Sequence, residues 1–236
     1  LKLQAQALEK SSSFNIALSG GSLGKVLKKA LIDNPEIAAQ VQWLKWQVYF
    51  SDERLVPLDH EDSNFGLFNS LVLQSLPAGT PKPTVHTIDA ELLTGKDGQA
   101  SGADVTKDEE IAAKYASILP QKFDLILLGC GPDGHTCSLF PGHPLLKERS
   151  KQIAAISDSP KPPPRRITFT FPVLEAAGTI AFVAEGAGKA ETLKQIFGVP
   201  SSELPSKLVN DLPGVDVSWF VDDGAVNEVD VITSKY

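Results

Sequence analysis

Short apolar or β-branched runs, each closed by turn residues, punctuate this chain, and five of them read as buried strands: Phe14–Leu18, Trp46–Phe50, residues 123–128, residues 167–171 and Thr179–Ala184. Residues 85–88, Ile153–Ile156 and residues 217–221 are weaker runs of the same kind. Between them apolar side chains recur at helical spacing, at Val26, Leu27, Ala30 and Leu31, at Ile111, Ala112, Tyr115, Ile118 and Leu119, and at Ala190, Leu193, Ile196 and Phe197. Strands apolar on both faces that alternate with amphipathic helices predict an α/β fold with a mostly parallel sheet covered on each side. Residues 91–106, rich in Gly, Asp and Ser and without periodicity, are expected to be an exposed loop of no functional role, ahead of a helix over residues 108–119. There is no internal repeat, and residues 1–236 are expected to form one domain.

Composition narrows the partners. Hydrophobic residues make up 42% of the chain and the formal charge is −7, so a core is easily built and a basic nucleic-acid-binding face is not expected. No apolar run approaches the roughly 20 residues of a membrane span. The chain opens at Leu1 without the basic-then-apolar order of a secretory signal, and a native start upstream of Leu1 is expected. Cys130 and Cys137 are the only cysteines and suit neither a disulfide framework nor a four-ligand zinc site, which points to reduced thiols in the cytoplasm.

Ligands of parallel sheets gather at the carboxyl ends of strands, so the segments that follow the strands are where chemistry is expected. After the first strand comes Ser19-Gly20-Gly21-Ser22 and then a helix; glycines and a helix start suit an anion, although a plain flexible turn has the same composition. It is neither a dinucleotide fingerprint nor a P-loop, and no cofactor is expected. After the second strand comes Asp52-Glu53-Arg54, where an arginine fork for phosphate or carboxylate competes with a merely solvated charged turn. After residues 123–128 a tight turn, Gly131-Pro132-Asp133-Gly134, sets His135 at the mouth of the sheet, where an imidazole can exchange protons near neutral pH. Ser138 lacks the G-x-S-x-G setting of a nucleophile, and His60, His135 and His143 lack metal-ligand spacing, so no metal is expected. The proline-rich stretch from Ser159 to Arg166 satisfies a P-x-x-P-x-R peptide-ligand pattern, but its place between two strands favours a stiff loop that aims Arg165 or Arg166 into the site. Lys189, ahead of the last periodic helix, is a further candidate cation.

Taken in order, these segments resemble the 6-phosphogluconolactonase family. The matching stretches include Ala17-Leu18-Ser19-Gly20-Gly21-Ser22, Asp52-Glu53-Arg54-Leu55-Val56-Pro57, Gly131-Pro132-Asp133-Gly134-His135-Thr136 with Ser138-Leu139-Phe140-Pro141, Ser159-Pro160-Lys161-Pro162-Pro163-Pro164, and Gly188-Lys189-Ala190. The resemblance implies a three-layer α/β/α, Rossmann-like fold shared with glucosamine-6-phosphate deaminases. It implies conversion of 6-phospho-D-glucono-1,5-lactone to 6-phosphogluconate, the second step of the oxidative pentose phosphate pathway. His135 then becomes the catalytic residue, assisted by Asp133 and Arg54, while Ser19, Gly20, Gly21, Ser22, Asp52, Arg166 and Lys189 bind substrate and its phosphate. A monomer is expected, with a homodimer as the alternative.

Two rivals differ in chemistry. Deaminases on this scaffold carry an acid in a Gly-His-x-Ala-Phe-Asn-Glu-Pro stretch, whereas the fifth residue after His135 here is Phe140. A sugar-phosphate sensor would keep the phosphate loop without a catalytic histidine, but no basic helix-turn-helix segment accompanies it.

Overall fold

Dense apolar runs become parallel strands here, and the polar or closely spaced ones become something else. A computed structural model describes residues 1–95, 97–101, 103–230 and 233–234. Its strands are β1 Phe14–Leu18, β2 Trp46–Phe50, β3 Asp52–Arg54, β4 Thr84–Val85, β5 Leu125–Gly129, β6 Ile153–Ile156, β7 Arg166–Phe169, β8 Thr179–Ala184 and β9 Asp216–Val221. Six form one wholly parallel sheet in the order β4-β2-β1-β5-β8-β9. The helices are α1 Lys2–Leu8, α2 Leu23–Leu31, α3 Pro35–Ala38, α4 Asn64–Leu71, α5 Val105–Ser117, α6 Phe171–Glu175, α7 Ala190–Gly198 and α8 Pro205–Asn210.

Alternate residues of the central strands feed two cores, as a pleated sheet requires. Phe14, Ile16 and Leu18 of β1 pack with Leu23 and Leu27 of α2, Phe68 of α4 and the Trp43–Trp46 pair. On the other face Ile126, Leu128, Ile180 and Phe182 pack with Ile111 and Tyr115 of α5 and Leu193 and Ile196 of α7. Residues such as Ile126 and Phe182, fully buried, each contribute roughly 1.5–3 kcal/mol by leaving water.

Strands β6 and β7 depart from the sequence expectation. Rather than joining the parallel sheet, they form an antiparallel three-stranded sheet with β3 in the order β3-β7-β6. The connection from Ile156 to Arg166 holds no crossover helix, which a parallel pairing would need. The expected strand at residues 167–171 accordingly ends at Phe169, and Phe171 opens α6 behind Thr170. Asp52–Arg54, read as a charged turn, is a strand whose two acids are buried. Helix α5 starts at Val105 rather than 108 because the Asp104 carboxylate caps the N–H groups of Thr106 and Lys107.

The 91–106 stretch is not simply an exposed loop. Its Thr94 carbonyl and hydroxyl accept hydrogen bonds from Arg165, and buried Gly98 accepts one from the Arg165 N–H. Residues 96 and 102 of that stretch lie outside the described residues. Among the described residues no helix is long and apolar enough to cross a membrane.

Candidate active site

Chain order reverses between β1 and β5: β2 and β4 lie to one side of β1, and β5, β8 and β9 to the other. Loops leaving two such strands part in opposite directions and open a crevice at their carboxyl ends. A cavity of about 280 Å³ lies there, the size of a small ligand. A larger groove of about 690 Å³ runs along the amino-terminal halves of β1, β5, β8 and β9 beside α1; its walls are mostly apolar and it gathers none of the predicted site residues.

The crevice brings together Ser19, Gly20, Gly21, Ser22, Asp52, Arg54, His135, Arg166 and Lys189, contributed by five separate segments. Ser19 is fixed by its N–H on the Leu127 carbonyl (3.0 Å) and by a hydroxyl contact with Ser51 (2.8 Å). Gly20 has no room for a side chain, because a Cβ there would overlap the Asn64 amide. That amide is itself committed, donating to the Asp52 carbonyl at 2.8 Å and to its carboxylate at 3.2 Å. The first turn of α2 then leaves backbone N–H groups without intrahelical partners at the positive end of the helix.

Arg54 and Arg166 face each other directly across the β3–β7 ladder. Their environments differ. The Arg166 guanidinium donates to the carbonyls of Pro163 (2.9 Å), Lys161 (2.8 Å) and Pro162 (3.1 Å) and to the Ser138 hydroxyl (3.3 Å), which leaves little of its donor set for a ligand. Burial, with the nearby Arg54 charge, pulls Arg166 down to about 10. Arg54 donates one bond, to the Asp62 carbonyl (3.2 Å), and its buried Nε has no partner, so most of its fork is free for an anion. Its backbone is held by Glu53, whose carboxylate accepts from the N–H groups of Arg54, Asn64 and Phe65 and from the Ser63 hydroxyl. Burial pushes Glu53 up to about 7 against those N–H groups.

Of the two neighbouring arginines the structure separates the roles cleanly. Arg165 is wholly buried on the far side of the strand, paired with Asp108 at 2.5 Å, and Arg166 reaches the crevice. Asp52 is buried and accepts from the Ser138 hydroxyl at 2.7 Å, so it organises the floor of the site.

His135 follows a turn closed by Gly134 N–H to the Gly131 carbonyl and Gly131 N–H to the His135 carbonyl, both 2.9 Å. Its Nδ1 lies 2.5 Å from Asp133 Oδ1. Burial alone would raise Asp133, but the His135 hydrogen bond and charge and the Lys161 hydrogen bond outweigh it and hold the carboxyl at about 2. An ionised carboxylate only accepts, so Nδ1 carries the ring proton and Nε2 keeps its lone pair for the crevice. Burial lowers the His135 pKa, which keeps the ring neutral and basic near pH 7.

Lys161 carries no signal of its own in the sequence, where its loop reads as a stiff segment that aims an arginine. Its Nζ lies 3.1 Å from both Asp133 Oδ1 and His135 Nδ1. Only the loop fold joins residues 133, 135 and 161, so no local spacing marks it.

The turn has little tolerance. A Cβ on Gly131 would overlap the His135 ring. Gly131→Ala is expected to displace the imidazole and lower kcat about tenfold or more, while the melting temperature moves by only a few degrees; steady-state kinetics and calorimetry check both.

A crevice at the switch point of a doubly wound sheet, with an imidazole and a glycine nest among cations, defines an α/β protein built to handle a small anionic molecule. The profile of the family described as "Glucosamine-6-phosphate isomerases/6-phosphogluconolactonase" matches residues 1–219. Over 236 residues the chain is 48% identical to 6-phosphogluconolactonase 3 of Saccharomyces cerevisiae, covering 99% of this chain and 91% of that protein. It is 44% identical to 6-phosphogluconolactonase of Homo sapiens, over 94% of this chain and 83% of the relative. The crystal structure of 6-phosphogluconolactonase from Leishmania guyanensis superposes with a TM-score of 0.77 at 25% identity, covering 98% and 96% of the two chains. The chain belongs to the glucosamine-6-phosphate isomerase/6-phosphogluconolactonase family.

Proposed function

We propose that this chain is a 6-phosphogluconolactonase, which hydrolyses 6-phospho-D-glucono-1,5-lactone to 6-phosphogluconate. The observation that carries this reading is the shared crevice: a neutral, oriented imidazole and an anion nest open onto one cavity. The Ser19–Ser22 loop with the start of α2 takes the phosphate, with Arg166 and Lys189 supplying positive charge around it, while Arg54 sits near the sugar end. Anchoring the unreactive phosphate fixes the lactone carbonyl near His135, so binding energy assists the chemistry.

His135 Nε2 removes a proton from water as the oxygen attacks the carbonyl carbon. The tetrahedral intermediate collapses by breaking the bond to the ring oxygen, which takes the proton back from Nε2. Asp133 holds the ring and steadies the transient imidazolium. Arg54, with its free donors, stabilises the oxyanion. No covalent intermediate forms on the enzyme in this scheme. Phe140, whose ring packs 5.0 Å from that of His135, stands where a deaminase would need an acid, which favours the hydrolase over amino-sugar chemistry.

The chain acts as a single domain and as a monomer in this reading. The two cysteines are free and buried, as suits the reducing cytoplasm. The small lactone is its partner, and neither nucleic acid nor membrane is required.

Loss of the phosphorylated lactone, followed above its spontaneous hydrolysis, tests the reading. Catalysis is expected with the phosphorylated lactone and a far lower kcat/KM with its unphosphorylated counterpart. Because the His135 pKa is lowered, the basic form persists on acidification, and the acid limb of kcat/KM is expected below the ordinary imidazole value of about 6.5. Binding of 6-phosphogluconate with no turnover of the lactone would instead mark a sensor.

A further inference from the structure

We propose that Lys161 is a positioning residue for the catalytic imidazole: its ammonium clamps the Asp133 carboxylate against His135 Nδ1 and so fixes the ring with Nε2 toward the substrate. This rests on the reading of His135 as the base.

The geometry is specific. Asp133 Oδ1 receives two donors, His135 Nδ1–H at 2.5 Å and Lys161 Nζ at 3.1 Å. Asp133 is over a third exposed, so without a second anchor its carboxylate is free to rotate away from the ring. Lys161 closes that freedom from another loop. That loop is itself pinned, because the Lys161 N–H donates to the Ser159 hydroxyl (3.2 Å) and the Lys161 carbonyl accepts from both Ser159 Oγ (2.8 Å) and Arg166 Nη2 (2.8 Å). The approach of Nζ to Nδ1, also 3.1 Å, is not a hydrogen bond once Nδ1 carries its proton. It sets a positive charge beside the ring and opposes formation of the imidazolium.

The ring's other charged neighbours are Asp52 from β3, which favours the imidazolium, and Arg54, Arg166, Glu185 and Lys189, which line the same crevice. Among the described residues, Nδ1 makes its close polar contacts with Asp133 and Lys161 and not with these groups. Removing Lys161 has two opposed effects on the ring: the lost charge no longer repels the imidazolium, whereas the unclamped Asp133 leaves Nδ1 and withdraws the hydrogen bond and negative charge that favour it, and the larger Asp133 effect lowers the His135 pKa.

The test compares wild type, Lys161→Met and Lys161→Arg by ¹⁵N NMR titration of His135 and by the pH profile of kcat/KM for the phosphorylated lactone. In Lys161→Met the His135 midpoint and the acid limb are expected to move down together by about one pH unit, with kcat at pH 7 down about tenfold and KM within about twofold. Lys161→Arg is expected to restore both. A midpoint and acid limb that rise or stay unchanged in Lys161→Met overturn the proposal, because Asp133 then holds the ring without the lysine, as does a loss carried by KM alone, which would make Lys161 a substrate contact. If Lys161→Met loses its circular dichroism spectrum, Lys161→Gln carries the same comparison. Should His135→Asn keep full turnover, the base assignment fails, whereas the NMR midpoint still reports whether Lys161 governs the ring.

Discussion

Replacing His135 with Asn is expected to lower kcat by about 10²–10⁴-fold and to leave KM within a few fold. Asn preserves a hydrogen-bonding side chain of similar reach toward Asp133 but cannot accept a proton at neutral pH. The Ser19–Ser22 loop, proposed to hold the phosphate, belongs to another segment and keeps its own anchors. Binding and chemistry should thus separate, and steady-state kinetics with binding of 6-phosphogluconate measured by calorimetry checks the split. Unchanged kcat removes His135 from the mechanism. A rise in KM matching the fall in kcat/KM, with kcat preserved, makes it a binding group instead.

Asp108→Ala is expected to be the most destabilising single change outside the apolar core. Arg165 and Asp108 are almost completely buried and make paired hydrogen bonds, Nη2 to Oδ1 at 2.5 Å and Nε to Oδ2 at 2.9 Å. Removing the acid strands a guanidinium that Thr94 alone cannot neutralise, at a cost of about 3–5 kcal/mol. For a chain of this length that corresponds to a fall in melting temperature of roughly 6–20 °C. Replacing both partners by apolar residues, Arg165→Met with Asp108→Leu, should recover most of the loss, since no unpaired charge is left. Thermal unfolding of the three variants measures it, and a double variant as unstable as the single would show that the pair matters for more than mutual neutralisation. The single variant should also lose activity, because Arg165 anchors the loop that carries Lys161.

The strands that build the parallel sheet were legible because they are apolar, and so was the crevice, because ligand loops follow such strands. What escaped was held together by polar contacts. Asp52–Arg54 carries no apolar alternation, yet becomes a strand because Asn64, Ser63, Ser138 and backbone N–H groups satisfy its buried acids. The Arg165–Arg166 pair was ambiguous because successive residues of extended chain, here the last before β7 and the first within it, face opposite ways, and only the tertiary partner Asp108 decides which one turns inward. Lys161 was hidden for the same reason, since its partners come from a loop nearly thirty residues away. The 91–106 stretch looked idle in composition, but one threonine and one glycine in it serve as acceptors for Arg165.

The nest hangs from the end of β1 and the imidazole from the end of β5, and these two strands meet along a seam registered by Ile16 with Leu125, Ala17 with Ile126 and Leu18 with Leu127. That alignment works as a gauge. A slip of one residue along it would change the reach between the two loops by about 3.3 Å, roughly two carbon–carbon bonds. The span between the two loops is therefore set by backbone pairing deep in the sheet, away from the crevice itself.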